Sequence, residues 1–307
     1  MSSLMTNVSA MTALKSLQQT NAAIETTQAR ISTGLRVNEA SDNAAYWSIA
    51  TTMRSDNKSL STVQDALGLG AAKVDIAYTG INSAIDVVDE IKSKLVASRE
   101  PGVDRAKIQS EIGELQNQLT SIATSAGFNG ENWLNVDSSA AGYSATESIV
   151  SSFNRDAAGG VSVGTLSVDK STTALFDANA GATGILDTEF TTTGAGAVTV
   201  TVANLDLTAA NIDETDIDNM ITGVETALQG MTTAASNLGS AKKRIDLQNE
   251  FVGNLMQAID RGIGQLVDAD MSAESTRLNA LQVQQQLGIQ AMSIANGNSQ
   301  AILSLFR

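Results

Sequence analysis

From Leu60 to Leu95 the chain repeats a small or apolar residue at strict three- and four-residue intervals: Leu60, Val63, Leu67, Gly70, Val74, Ala77, Ile81, Ala84, Val88, Ile91 and Leu95. Positions spaced this way fall on one stripe only in an α-helix, whose turn closes between three and four residues. At about 1.5 Å per residue the pattern makes roughly 54 Å of helix. A stripe so long and so narrow is a coiled-coil seam, and it can be buried only by other long helices running beside it.

The rest of the chain offers such partners. Pro101-Gly102 ends the first helix, because proline disfavours helical backbone at the residue before it. A stripe of Ile108, Ile112, Leu115, Leu119 and Ile122 follows and closes at Gly127. Another long helix is expected after Asp213-Glu214-Thr215-Asp216, since carboxylates suit the free N–H groups and positive dipole end of a helix N-terminus. Its seam reads Ile217, Ile221, Val224, Leu228, Met231, Ala235, Leu238, Ala241, Ile245, Gln248, Val252, Leu255 and Ile259. That seam slips by one residue near Leu238–Ala241, a stammer that overwinds a coiled coil locally.

Both chain ends are helical in pattern too. Leu14, Leu17, Asn21, Ile24, Gln28, Ile31 and Leu35 form a seam with two polar members. The C-terminal segment carries two stripes, Leu287, Ala291, Ile294, Ala301 and Leu305 on one and Leu278, Leu281, Met292, Ala295, Ile302 and Phe306 on the other. No charged residue occurs from Leu278 to Phe306. An uncharged helix that is apolar on more than one face needs partners on several sides. Two readings follow: a buried helix of a monomeric bundle, or a segment whose packing is completed when many copies assemble.

The middle of the chain differs in kind. Ile149 to Phe153, the turn around Asp156 and Gly159-Gly160, and the alternation Val161, Val163, Leu166, Val168 read as a β-hairpin. Val198, Val200 and Val202 suggest a further strand, and the Gly-, Thr- and Ala-rich stretch from Ser171 to Gly196 reads as loop or a small outer elaboration. Between Glu131 and Ser240 there are 14 acidic residues against two basic ones, Arg155 and Lys170, whereas the first 60 residues carry five basic and four acidic groups. An acidic middle reads as solvated surface and uncharged ends as buried surface. The expected fold is therefore mainly α, with long coiled-coil helices from both chain ends forming an elongated rod and a small hairpin-containing insert in the middle.

Composition removes whole classes of function. The chain has no Cys and no His. Thiol catalysis, thiolate metal sites, Ser–His–Asp hydrolysis and H-E-x-x-H zinc chemistry are thus excluded, while carboxylate-only enzymes remain possible in principle. A net charge of −14 argues against nucleic acid and anionic membrane surfaces as partners. Seven Gln and Asn residues between Gln282 and Asn298 rule the uncharged end out as a membrane span. Met1 to Asn7 lacks the basic start and apolar run of a cleaved leader.

No cofactor or metal site is read from the motifs. Gly68-x-Gly70-x-x-Lys73 lacks a preceding strand and the P-loop spacing, so small residues for close packing are the better reading. Asp213 to Asp218 lacks the turn glycine and terminal glutamate of a calcium loop and fits helix capping. Asn7-Val8-Ser9 and Asn57-Lys58-Ser59 match a glycosylation sequon but lie on expected helices.

Several ordered motifs are familiar. Arg30-Ile31-Ser32-Thr33-Gly34-Leu35-Arg36-Val37-Asn38, then Ala40-Ser41-Asp42-Asn43-Ala44-Ala45, resembles the N-terminal signature of bacterial flagellins. Phe128-Asn129-Gly130 with Leu134 is similar to the turn closing the first rod segment of that family. At the other end, Leu238-Gly239-Ser240-Ala241-x-x-Arg244-Ile245, Asp268-Ala269-Asp270-Met271 and Ile302-Leu303-Ser304-Leu305-Phe306-Arg307 are similar to the flagellin C-terminus. Tyr46-Trp47-Ser48 departs from the pattern, standing where many members have small residues.

The resemblance implies a non-enzymatic filament subunit, exported unfolded through the flagellar type III apparatus without a cleaved leader. Residues 1–40 and 267–307 would form an inner coiled coil, 41–170 and 211–266 a surrounding rod, and 171–210 a reduced outer elaboration. The implied self-assembly interface is Leu14, Leu17, Ile24, Ile31, Leu35 and Arg36 with Leu278, Leu281, Leu287, Ile294, Ile302, Leu305 and Phe306. Leu60, Val63, Leu67, Val74, Ile81, Val88, Ile91, Leu95, Ile245 and Val252 would form the rod core. Implied partners are further copies of the chain, sister flagellins, the filament cap, an export chaperone and hook-junction proteins. A hook–filament junction protein shares the same end motifs and is the alternative, and an adhesin or enzyme carried on a flagellin scaffold is a more distant one.

Overall fold

The computed structural model describes residues 7–179 and 183–305, with side chains as far as 297. Most of the chain is helical. In order the described residues form α1 (Val8–Thr33), α2 (Ala44–Ala97), α3 (Arg105–Ser125), eight strands, a 3-10 turn (Val202–Asn204), α4 (Glu214–Val267) and α5 (Met271–Leu305). Two compact units emerge, one from 1–58 with 256–307 and one from 59–255.

Within the 59–255 unit, all eleven positions of the Leu60–Leu95 seam are buried. The partner helix is α4, which runs antiparallel to α2, with Lys242 ion-paired to Asp75 and Gly239 beside Tyr78. Ile108, Ile112, Leu119 and Ala123 of α3 are buried as well.

The buried face of α4 differs from the expected one. Ile217, Met220, Val224, Ala227, Met231, Ala234, Leu238, Ala241 and Ile245 form it, at unbroken three- and four-residue spacing, so there is no slip near Leu238. Ile221 and Leu228 are only half-buried. The reason lies on the opposite flank, where the middle insert packs. A Cβ on Gly223 would lie 2.6 Å from the ring of Phe190, and one on Gly230 would lie 3.2 Å from Ile185. The insert thereby draws the buried face round the helix toward the glycines.

The insert is built from short ladders. β1 (Gly127–Phe128) and β2 (Glu131–Asn132) pair across Asn129-Gly130, whose φ values of 51° and 84° suit a tight primed turn. β3 (Asn135–Val136) pairs in parallel with β6 (Phe176–Asp177), and β7 (Phe190–Thr191) antiparallel with β8 (Thr199–Val200). β4 (Thr146–Arg155) and β5 (Val161–Asp169) make the expected hairpin, with a bulge between Val150 and Ser152. The strand expected over Val198–Val202 is only the two residues of β8, and the 3-10 turn follows it.

Ile149 of β4 fills the notch at Gly70, where a Cβ would come within 2.5 Å of it, and Leu134 fills the notch at Gly80. Lys73 of α2 clamps the same junction, donating to Glu131 at 2.6 Å and to Glu147 at 3.1 Å. Burial alone would raise the Glu147 pKa, but the hydrogen bond and charge of Lys73, joined by Lys170, outweigh it and hold the carboxyl below its ordinary value. Apart from β6 and β7, the described part of the 171–196 stretch is irregular yet anchored, since Thr173, Leu175, Leu186 and Thr192 are almost wholly buried.

The acidic start of α4 caps the helix as expected, and it also holds a loop. Asp216 N–H donates to Asp213 at 2.9 Å, while the Asp216 carboxylate accepts from the backbone of Gly194 and of Gly196, each at 2.9 Å. The Thr192 hydroxyl, then the N–H groups of Gly196, Asp213 and Gly194, outweigh burial and pull the Asp216 carboxyl down to about 2. A depressed folded-state value means stability that is present above the ordinary value of 3.8 and lost as pH falls through about 2. D216N should therefore lower the melting temperature at pH 7, and its deficit should shrink on acidification from about 4 to about 2. A deficit that stays constant over that window in pH-dependent melting curves would refute the assignment.

Candidate assembly surface

The motifs Arg30–Asn38, Ala40–Ala45 and Asp268–Met271 turn out to be caps and turns of the unit formed by the chain ends. Gly34 ends α1 with φ 73°, a left-handed cap that glycine adopts without a Cβ clash, and its N–H donates to Arg30 O. Leu35 bridges to Asp268, and Ala269 N–H donates to Gly34 O at 2.9 Å. Asp42 accepts from the backbone N–H groups of Asn38 and Glu39, which lowers its pKa. Asn43 then caps α2 and Asp270 caps α5. Val37, Ala50, Ile263 and Val267 make a small core beneath these turns.

Arg36, expected at the assembly interface, is engaged within its own chain. Its guanidinium donates to the carbonyls of Leu266 at 3.0 Å and Gln265 at 3.4 Å, the free acceptors of the last turn of α4. Tyr46 and Trp47 are exposed on the first turn of α2.

These turns bring α1 and α5 side by side and antiparallel. Asn7 donates to Ala295 O at 2.9 Å, Gln285 to Asn21 at 2.7 Å, and Arg30 pairs with Glu274 at 3.2 Å. The ion pair is single-pronged, and Arg30 Nε and Glu274 Oε2 are buried without partners among the described residues. From α1, Leu17, Ile24, Thr27 and Ile31 turn inward, Ile24 and Thr27 being buried. From α5, Leu278, Leu281, Gly288, Met292 and Ala295 are the less exposed positions, and Gly288 sits against Leu17.

Asn21 and Gln28, expected inside the seam, are exposed instead, as is Leu14. Small and β-branched residues one position earlier, Ala13, Thr20 and Thr27, take those places because they let two helices approach closely. The stripe of α5 that carries Leu287, Ala291 and Ile294 has no partner among the described residues. Leu287 and Ile294 are 58% and 66% exposed, and Val8 and Met11 of α1 are 69% and 62% exposed. Sequence reasoning passed over Val8, Met11, Val283 and Ile289, all exposed; their three- and four-residue spacing from the chosen stripes was the available signal. Ile302, Leu305 and Phe306 lie outside the described side chains.

A pair of helices with few charges that leaves this much apolar side chain uncovered marks a surface for further protein. Among the described residues no group of acidic side chains is placed to hold a metal ion, and no helix is long and apolar enough to cross a membrane.

Comparison with known proteins agrees with that reading. Residues 4–139 match the bacterial flagellin N-terminal helical region, and residues 221–306 match the bacterial flagellin C-terminal helical region. The chain is 52% identical to flagellin C of Rhizobium meliloti and 46% identical to a flagellin of Brucella melitensis, in each case over the full length of both chains. The crystal structure of Bacillus cereus flagellin aligns with 62% of this chain and 88% of its own, at 18% identity and a TM-score of 0.41. With both end regions matched in order and whole-length identity this high, the chain belongs to the bacterial flagellin family.

Proposed function

We infer that the chain is the structural subunit of a helical flagellar filament, the polymer that bacteria turn in order to swim. The observation that carries this is the outward stripe of α5 with Val8 and Met11, apolar and uncovered in a single chain. A monomeric bundle would have buried it. The full-length relatives are flagellins, and nothing among them favours the hook–filament junction alternative.

Residues 1–40 and 267–307 are proposed as the inner coiled coil, 41–170 and 211–266 as the rod, and 171–210 as the outer elaboration. The interface itself is assigned to the α1–α5 pair, with Leu17, Ile24, Ile31, Leu278 and Leu281 holding the pair together and Leu287 and Ile294 meeting neighbouring copies. Rod-core residues from Leu60 to Leu95, with Ile245 and Val252, keep the subunit stiff; all of them are buried. Export in an unfolded state suits a chain with no Cys and one Pro, which avoids disulfides and nearly all slow X-Pro isomerisation. Sister flagellins, a cap, an export chaperone and junction proteins complete the expected partners.

Electron microscopy of the purified chain under polymerising conditions tests the reading. Helical tubes are the expected result, and a monodisperse monomer with ordered ends under every such condition overturns it.

A further inference from the structure

Lys243 and Arg244 are out of keeping with a chain of net charge −14. Both are exposed on α4, and neither side chain has an ion-pair or hydrogen-bond partner among the described residues, whereas neighbouring Lys242 is paired with Asp75. One and two turns further on, Leu247 and Phe251 are 55% and 59% exposed. The spacing puts all four residues on one side of the helix. Arginine beside an exposed aromatic and a leucine has the make-up of an interface centre.

An opposite patch lies elsewhere in the same unit. Asp86, Asp89 and Glu90 of α2 are exposed, share a helix face at three- and four-residue spacing, and form no salt bridge among the described residues. Asp89 and Glu90 have only the longer-range attraction of Lys92 and Lys94, which are themselves paired with Glu225 and Glu111. Like charges so placed repel one another in the isolated chain, a cost that a basic partner would relieve. We propose that Lys243 and Arg244 of one copy dock on Asp86, Asp89 and Glu90 of a second copy, as the charged part of a lateral contact. The proposal rests on the filament reading above.

Two different patches on one chain make a heterologous contact, and such contacts build open helical polymers when their rotation does not close. The α2–α4 register, set by Asp75 with Lys242 and by Gln64 beside Gly253, puts Arg244 level with Lys73. Asp89 lies roughly 16 residues further along α2, about 24 Å at about 1.5 Å per residue. Contacting copies of the same polarity would be offset along the helices by about that distance.

The test measures the critical concentration for polymerisation of the full chain by sedimentation, with filaments checked by electron microscopy. K243E/R244E and D89K/E90K should each raise it about tenfold or more, and the fourfold variant should return to within about threefold of the unaltered chain. Melting curves should be unchanged throughout, because all four side chains are exposed. Normal polymerisation of either charge-reversed variant, or a fourfold variant no better than its worse parent, overturns the contact. If the unaltered chain fails to polymerise, the filament reading falls and this contact with it.

Discussion

Gly70→Leu should lower the free energy of unfolding by about 3 kcal/mol, the upper range for overpacking a filled core site. Gly70 is buried within the α2 seam, and an added Cβ would come within 2.5 Å of the γ2 methyl of Ile149. Leucine improves helix propensity by roughly 1 kcal/mol over glycine. The remaining side chain, however, must expel Ile149, whose burial is itself worth about 2–3 kcal/mol. The β4–β5 hairpin would then be held mainly by the Lys73 clamp and by Gln248, which donates to Ser151 O at 2.9 Å. Denaturant melts of G70L give the loss. G70A with I149A should recover part of the G70A loss, since removing the branched side chain clears the notch. A G70L melt indistinguishable from the unaltered chain would refute this account of the notch.

Leu287→Asp with Ile294→Asp should abolish polymerisation while leaving the folded chain nearly as stable as before. Both residues are exposed, so in the isolated chain the substitutions should change stability by no more than about 0.5 kcal/mol. In the filament the same carboxylates would be buried without partners, at a cost of several kcal/mol per copy. At about 1.4 kcal/mol per factor of ten, that raises the critical concentration more than about a hundredfold. L281D is the contrasting variant, because Leu281 belongs to the α1–α5 seam and its replacement should destabilise the pair itself. Filaments of the double variant at the concentration that suffices for the unaltered chain would remove this stripe from the interface.

The α2 seam was fully legible because a strict spacing over ten helical turns admits only one buried face, and each of its positions is buried. The caps at Asp213 and the β4–β5 hairpin were legible for a similar reason, since local chemistry at the chain decides them. Side-chain size misled wherever two stripes competed. Leu14 lost its place in the α1 seam to Ala13, and Ile221 and Leu228 lost theirs on α4 to Met220 and Ala227. Arg36 belonged to a motif shared with filament proteins, yet its visible work is to cap α4.

Periodicity, charge distribution and the missing Cys and His thus determined by themselves that the chain is a set of long helices with a hairpin insert, without thiol or histidine chemistry, and with ends short of partners. Those are properties of residues a turn or two apart, where backbone geometry alone sets which side chains share a face. The tertiary structure alone decided which of two neighbouring stripes faces inward. That choice depends on what packs against each helix: Phe190 and Ile185 on α4, and the close approach of α5 to α1. None of these contacts is local in sequence. The stripe left facing outward on α5 is therefore a result of packing, and it is the surface on which a second copy is expected to sit.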